Sequence, residues 1–336
     1  MTEGVRREAY KLPEIRLPSL ENLKVQVVSP PAPSADELIE ALHQKLRACA
    51  SRRERKPGEA LSPGDEVECD IVTVVDGQVI PGSVRHGVRL EMRTFEHMPG
   101  FIENLLEMKT FSARTFSLSL PADYPVLEMA GKTATFYVEV RRAFQVDQPE
   151  LDDEARLREA GLGGDLDEAM ETIAAQLDEE QGQQLLIDAS QAVLEAVAER
   201  VSEEVPKAAV DEELRRLWQT AQAPVLQGRE FPEEMVKQAL VSFLEDPLLR
   251  AEATDRIKIG LVLGALIKEK ELAPSAEVVQ DLLQEAAEAV GISTEEAREA
   301  VGGDPLEAQK VGFAGLYHTA VEYLVGLAEV EILEAP

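Results

Sequence analysis

Aromatic side chains are scarce, at 4% of 336 residues, and only one of them is tryptophan. A chain this poor in rings and rich in Ala, Leu and Glu favours helix over sheet for most of its length. Cysteine occurs twice, as Cys49 and Cys69, with no CxxC spacing and no companion histidine cluster. This excludes a disulfide framework and a zinc ribbon, and both thiols read as reduced core residues. His43, His86, His97 and His318 are isolated, so no metal and no cofactor is expected. No apolar run approaches the roughly 18 residues of a membrane-spanning helix. The opening MTEGVRREAYKLPE lacks the apolar core of a signal peptide, so the expected location is the cytoplasm. Cations are in the minority: 34 Lys and Arg face 64 Asp and Glu, a formal charge of −30. Nucleic acid and anionic membrane would meet that surface with repulsion, whereas basic or apolar partners remain allowed.

What the chain does have is a block of alternating residues. Val67, Cys69, Ile71, Thr73 and Val75 alternate with Glu66, Glu68 and Asp70, the period-two mark of a half-buried strand. Asp76-Gly77 then closes a hairpin, since glycine accepts the positive φ of such turns. Phe116, Leu118 and Leu120 alternate with serines, and Ala134, Phe136, Val138 and Val140 alternate with Thr135, Tyr137 and Glu139. The block reads as a small antiparallel sheet with one wet face.

The rest is helical. After a short strand at Leu23, Val25 and Val27, Ser34 and Glu37 form a capping box ahead of a helix with Leu38, Leu42, Leu46 and Cys49 on one face. The run Arg52, Arg53, Glu54, Arg55, Lys56 is expected to complement that helix's C-terminal end. Beyond about residue 150, one amphipathic helix carries Leu185, Ala189, Leu194 and Val197, and a second carries Val210, Leu214, Leu217, Trp218 and Ala221. Phe231-Pro232 opens another, with Met235, Ala239, Leu240 and Phe243. Ile257, Leu261, Gly264, Ala265 and Ile267 mark a strongly apolar helix. Ser293 and Glu296 form a second capping box, and Gly302-Gly303 stops the short helix behind it. The last helix carries Phe313, Leu316, Tyr317, Ala320, Leu324 and Leu327.

The strings GDEVECDIVTVVDG, MPGF, LPADYP and AGKTATFYVEV, in this order and register and followed by Pro149-Glu150-Leu151, resemble the FKBP-type prolyl isomerase domain of the trigger factor family. The segment RIKIGLVLGALIKEKELAPSAEVVQDLLQEAA resembles the same family's helical chaperone domain. The resemblance implies an α+β fold: a small antiparallel FKBP-like sheet domain followed by a large all-α domain with extended helical arms. The expected blocks are 1–60 as a lead-in, 61–148 as the isomerase-type domain and 149–336 as the helical domain. The family's ribosome-docking string Gly-Phe-Arg-x-Gly-Lys-x-Pro does not occur, so ribosome docking is not expected.

The resemblance also places a prolyl-peptide pocket at Ile71, Ile80, Met98, Phe101, Tyr124 and Phe136, with Phe101 as floor, Tyr124 as hydroxyl donor and Phe136 as far wall. Ile71 and Ile80 stand where the family carries aromatics, and Thr73 replaces a glycine. Such a site needs no acid, base or nucleophile, and no catalytic residue is assigned. These departures imply weak or lost isomerase activity. The expected function is to hold non-native polypeptides off the ribosome, either many clients or one dedicated client. The alternative is a free-standing prolyl isomerase.

Overall fold

The computed structural model describes residues 11–80, 83–93, 98–106, 108–122, 124, 129–147, 150–227 and 233–334, the side chains of Gln227 and Met235 excepted. His97, Asp123, Pro125, Pro149, Phe231, Pro232 and the Met235 side chain lie outside the described residues. The fold is α+β. The elements run β1 (Lys24–Ser29), α1 (Ala35–Cys49), β2 (Arg52–Glu54), β3 (Glu66–Val75), β4 (Gln78–Val79), β5 (Arg85–Glu91), α2 (Phe101–Leu105), β6 (Ala113–Ser119) and β7 (Thr133–Val146). Helices follow: α3 (Glu154–Glu159), α4 (Leu166–Ala198), α5 (Lys207–Leu217), a π-helical turn (Trp218–Gln222), α6 (Ala223–Gln227), α7 (Glu233–Glu245), α8 (Pro247–Lys270), α9 (Ala276–Val290), α10 (Thr294–Gly303) and α11 (Pro305–Leu327). A strand, β8 (Glu329–Glu334), follows them.

The chain forms two compact units, each assembled from separated stretches. One comprises 33–177 with 211–250, and the other comprises 1–32, 178–210 and 251–336. The blocks expected from the sequence are consecutive, and these units are not.

The first unit is built on a six-stranded antiparallel sheet. Strands β2, β7, β3 and β4 lie side by side, β5 also pairs with β3, and β6 also pairs with β7. Asp76 and Gly77, with φ of 53° and 78°, make the tight turn from β3 to β4. One face of the sheet carries a core of Val67, Cys69, Val75, Phe101, Phe136, Val138 and Val140. The second face is not wet as expected. Val72 and Val74 are buried on it, and two downstream elements reach the sheet: α7 packs against β4 and the π-turn packs against β5. Asp70, on a supposedly polar position, is buried too.

The π-turn has a local cause. Pro224 has no N–H to give the carbonyl four residues earlier, and its ring crowds that carbonyl, so the helix widens just before it.

Helix α1 begins at the expected capping box, with Ser34 and Glu37 bonded reciprocally. Its Leu42 and Leu46 pack on Leu157, Leu162 and Ile173. Cys49 ends this helix exposed rather than in a core, whereas Cys69 is buried as expected, and neither forms a disulfide. The basic run after α1 enters a strand. Arg52 still donates to Arg47 O at the helix end, but Arg55 pairs with buried Asp65, and Arg53 bonds Glu59 and Gln145. Arg47, itself buried, donates to Gly64 O and lies 3.2 Å from Glu91.

The second unit packs Leu23 and Val25 with Val193 and Val197 of α4, Ile259, Val262, Leu263 and Leu266 of α8, and Ala320 and Leu324 of α11. The buried face of α8 is therefore offset from the expected one: Gly264 is exposed, and Ile257 and Leu261 are half-buried. β1 and β8 pair in parallel, with Lys24 opposite Glu329 and 2.5 Å from it. Arg200 donates to the carbonyls of Ser19, Glu21 and Asn22 and so fixes the entry to β1. The turns between α9, α10 and α11 are set by Gly291 in the left-handed region (φ 73°), the second capping box at Ser293 and the Asp304 N-cap before Pro305. Gly315 lets α11 approach closely, because a Cβ there would lie 2.9 Å from Pro274 Cβ.

An ion pair ties α1 to the sheet: Arg93, just past β5, donates to both carboxylate oxygens of Glu40. The Arg93 hydrogen bonds hold the Glu40 carboxyl down at about 2, below its ordinary 4.5. A depressed acid stabilises the fold above the unfolded value and loses that contribution as pH falls through the folded one. Glu40→Gln should therefore cost about 0.5–1 kcal/mol near neutral pH, as a partly exposed pair does. That deficit should shrink between pH 4.5 and 2, as read by urea denaturation of both proteins across this range.

Candidate functional site

The six pocket residues expected from sequence come from five places in the first unit. Ile71 lies in β3, Ile80 follows β4, Met98 precedes α2, Phe101 begins α2, Tyr124 follows β6 and Phe136 lies in β7. All six meet in one cluster, with Phe101 and Phe136 buried and Ile71, Ile80, Met98 and Tyr124 half-buried around them. The Pro-Gly-Phe sequence has a steric role here. Gly100 sits at φ 89°, and a Cβ on it would meet Leu118 Cδ2 at 3.1 Å. Phe101 N–H then donates to Met98 O (3.2 Å), turning the chain into α2 with the Phe101 ring pointing inward.

A seventh residue completes the cluster. Phe116 of β6 stands directly opposite Phe136 of β7, and their rings stack with centroids 5.7 Å apart. The Phe101 ring meets both edge-on, at 5.4 and 5.2 Å. The alternation along β6 and β7 was visible in the sequence, but only their register shows that Phe116 and Phe136 are cross-strand partners. Phe101 and Phe136 are each 2% exposed. The Phe101 and Phe136 rings are thus packed against each other, and the accessible members of the cluster are its half-buried rim.

Asp70 borders this cluster in sequence. Its carboxylate accepts from Gly87 N–H (2.9 Å) and from Arg141 Nε (2.9 Å), and His86 Nδ1 lies 2.8 Å away. Burial alone would push this acid up, but the Gly87 bond and the Arg141 guanidinium outweigh it and hold the carboxyl below its ordinary value. The arrangement pins β5 and β7 to β3.

The second unit presents a different surface. Leu186 and Ile187 of α4, Val290 at the end of α9, and Leu306, Phe313 and Tyr317 of α11 are exposed, Leu186 by 70% and Phe313 by 62%. Leu306, Phe313 and Tyr317 recur at the spacing of one helix face. Beside Tyr317 lies a cleft of about 510 Å³ between α4, α8 and α11. Leu194, Ile259 and Tyr317 line it together with Glu195, Glu252, Asp255 and Arg256. Its chemistry is apolar walls with an acidic rim.

Residues 165–326 match the family described as the bacterial trigger factor protein (TF) C-terminus. A trigger factor of Hydrogenovibrio crunogenus is 30% identical over 277 residues, an alignment covering 81% of this chain and 61% of that protein. A trigger factor of Gluconacetobacter diazotrophicus is 27% identical over 330 residues, covering 96% of this chain and 72% of the relative. A solved structure of the trigger factor chaperone, described for promiscuous substrate recognition in folding and assembly, covers 93% of this chain at 18% identity, with a TM-score of 0.37. That superposition is too loose to add weight to the sequence match. Residues 165–326 carry the C-terminal domain of the trigger factor family, and the relatives matched over four-fifths or more of this chain are trigger factors. The chain spans 61% of the length of the first of these relatives.

The geometry separates packing from recognition among the cluster residues. Phe101→Ala should cost about 3–5 kcal/mol, as large-to-small changes at buried aromatics do. Tyr124→Phe should change stability by less than about 0.5 kcal/mol. Thermal and urea denaturation of the two variants checks both.

Proposed function

We propose that the protein is a polypeptide-binding chaperone that works away from the ribosome in the cytoplasm, holding non-native or unassembled clients. One version holds many clients, and the other keeps a single dedicated client soluble or inactive. The observation that carries this reading is the exposed apolar face of α11, with Leu306, Phe313 and Tyr317, in the stretch that matches the trigger factor C-terminus. Phe313 and Tyr317 lie one turn apart on this face, and neighbouring apolar side chains left in water mark interaction surfaces. The formal charge of −30 supports a site of action away from ribosomal RNA, whose phosphates it repels. The acidic rim of the neighbouring cleft favours clients with basic as well as apolar surface.

A second reading concerns the sheet. We assign 61–148 as an FKBP-like domain and its half-buried rim, Ile71, Ile80, Met98 and Tyr124, as the face that would meet a prolyl peptide. The cluster that unites all six expected residues favours this assignment, and the closed packing of Phe101 on Phe136 argues for weak or lost turnover. Isomerisation has to lower an amide-rotation barrier of roughly 18–20 kcal/mol, which requires an open apolar site that strips water from the twisted bond.

The double variant Leu306→Ser, Phe313→Ser should keep the wild-type melting temperature, since both side chains already face water. It should require about tenfold more protein to suppress aggregation of a thermally denatured client, a loss of about 1.4 kcal/mol in binding. Unchanged suppression would remove α11 as the client surface. An affinity capture from native cytosol separates the two versions. One stoichiometric partner supports the dedicated form, and a substoichiometric spread of unrelated proteins supports the general one. In a proline-peptide assay, wild type and the Tyr124→Phe, Phe101→Ala double variant should give the same rate.

A further inference from the structure

The turn between α2 and β6 holds an aromatic side chain where packing does not account for it. Phe111 is 65% exposed, and its backbone sits at φ 60°. Positive φ is open to glycine, and short polar residues such as Asn22 and Asp76 tolerate it, but a bulky aromatic is strained there. Residues held in such conformations cluster at functional sites.

Hydrogen bonds fix the turn in this shape. Phe111 N–H donates to Val140 O of β7 at 3.0 Å, and Val140 N–H donates to Ser112 O at 2.9 Å. The Ser112 hydroxyl closes the turn on itself, donating to Lys109 O at 2.6 Å. The buried Thr110 hydroxyl donates to Lys56 O at 2.9 Å and accepts from Gly58 N–H at 3.1 Å. A bonded framework, not slack in the loop, therefore holds Phe111 out in water.

The charge around this ring is the reverse of the chain's. Lys56 is brought beside Thr110 by the hydroxyl bond, Lys109 lies two residues before Phe111, and both lysines are exposed. Among the described residues neither lysine has a carboxylate partner. Two acids next to the turn already have cations. Glu59, whose carbonyl accepts from Thr110 N–H, is held by Arg53, and Glu139, opposite Ala113, is held by Arg141. An apolar ring with two uncommitted ammonium groups fits a segment that offers an apolar side chain and carboxylates. A nucleic acid would supply anions too, but the formal charge of −30 repels an extended polyanion far more than a segment with a few carboxylates.

We propose that Phe111, with Lys56 and Lys109, is a docking point for a short acidic segment of a partner polypeptide, one bearing an apolar side chain that covers the Phe111 ring. The partner is neutral or basic elsewhere, since a chain acidic throughout meets the same repulsion as a nucleic acid. The site lies in the first unit and does not depend on the client surface of α11.

The probe is the acetylated and amidated hexapeptide Glu-Leu-Phe-Leu-Glu-Glu carrying a neutral coumarin, titrated with the full chain and read by fluorescence anisotropy at low ionic strength. Saturable binding is expected, weakening as added salt screens the lysines. Phe111→Gly and the double variant Lys56→Gln, Lys109→Gln should each weaken it several-fold. Phe111→Gly should also keep or raise the melting temperature, because glycine adopts this backbone without strain. The counterpart Lys-Leu-Phe-Leu-Lys-Lys should bind wild type and Phe111→Gly alike. No saturable binding of the acidic probe, or binding that Phe111→Gly leaves unchanged, would overturn the docking point. A lower melting temperature for Phe111→Gly would assign the ring to packing and overturn it as well. Equal loss of the basic counterpart would overturn the acidic character of the segment, and displacement of the probe by an oligouridylate would overturn the choice of a polypeptide.

Discussion

Burial of β3 on both faces is the constraint on which the first unit depends. Val67, Cys69 and Val75 point to the aromatic cluster, and Val72 and Val74 point the other way into an equally dry environment. A strand in that position needs two covering layers. On the first side α2 packs on β6, and far downstream in the chain the π-turn and α7 pack against β5 and β4, the strands that flank β3. The sheet is therefore incomplete until chain far downstream returns to it, and contacts of such long sequence separation form late and at a cost in loop entropy. The same constraint explains Asp70. A carboxylate at an even position of this strand loses water on both sides, and it remains charged because Gly87, Arg141 and His86 surround it.

Most of the local structure was legible because local signals control it. Period-two alternation marked β3, β6 and β7, Asp76-Gly77 marked the hairpin, and Ser34 with Glu37 and Ser293 with Glu296 marked two helix starts. What was not legible depends on partners distant in sequence. The stretch Ile71-Val72-Thr73-Val74-Val75 is apolar at nearly every position, the pattern of a strand covered on both sides, but it does not say what covers it. Helix α8 is apolar around most of its girth, so periodicity could not choose between Ile257 with Leu261 and the observed Ile259, Val262, Leu263 and Leu266. The EVEILE pattern of β8 alternates only in part, and its partner β1 lies near the opposite end of the chain. Pro224 was in plain view, and its consequence, a π-turn in the preceding residues, follows from sterics that a 3.6-residue period does not express.

The candidate site follows the same division. The family resemblance nominated Ile71, Ile80, Met98, Phe101, Tyr124 and Phe136, and these six share one apolar cluster. Phe116 could not be nominated, because its membership comes from the β6–β7 register. Nor could the sequence show that Phe101 and Phe136 spend their faces on each other. Two rings in edge-to-face contact at 5.2 Å, with a third stacked alongside, form a self-satisfied group. A ligand that needs those faces must break aromatic contacts first, and a ligand content with the rim need not.

The exposed apolar face of α11 raises a physical difficulty that the acidic composition resolves. Side chains such as Phe313 and Tyr317 in water would drive copies of the chain together, since burying such surface is worth about 25 cal/mol per Å². Two copies each carrying a formal charge of −30 repel one another before those faces can meet. Neutral or basic chains meet no such barrier, and the acids around the nearby cleft, Glu195, Glu252 and Asp255, attract basic ones. If the apolar face takes clients as proposed, the charge acts as a filter between self and client: it suppresses contact between copies and leaves contact with a neutral or basic chain open. The filter weakens as salt rises and the Debye length falls to about 8 Å at physiological ionic strength. Long-range repulsion between copies is therefore screened first, while attraction at the cleft rim, acting over contact distances, is screened least.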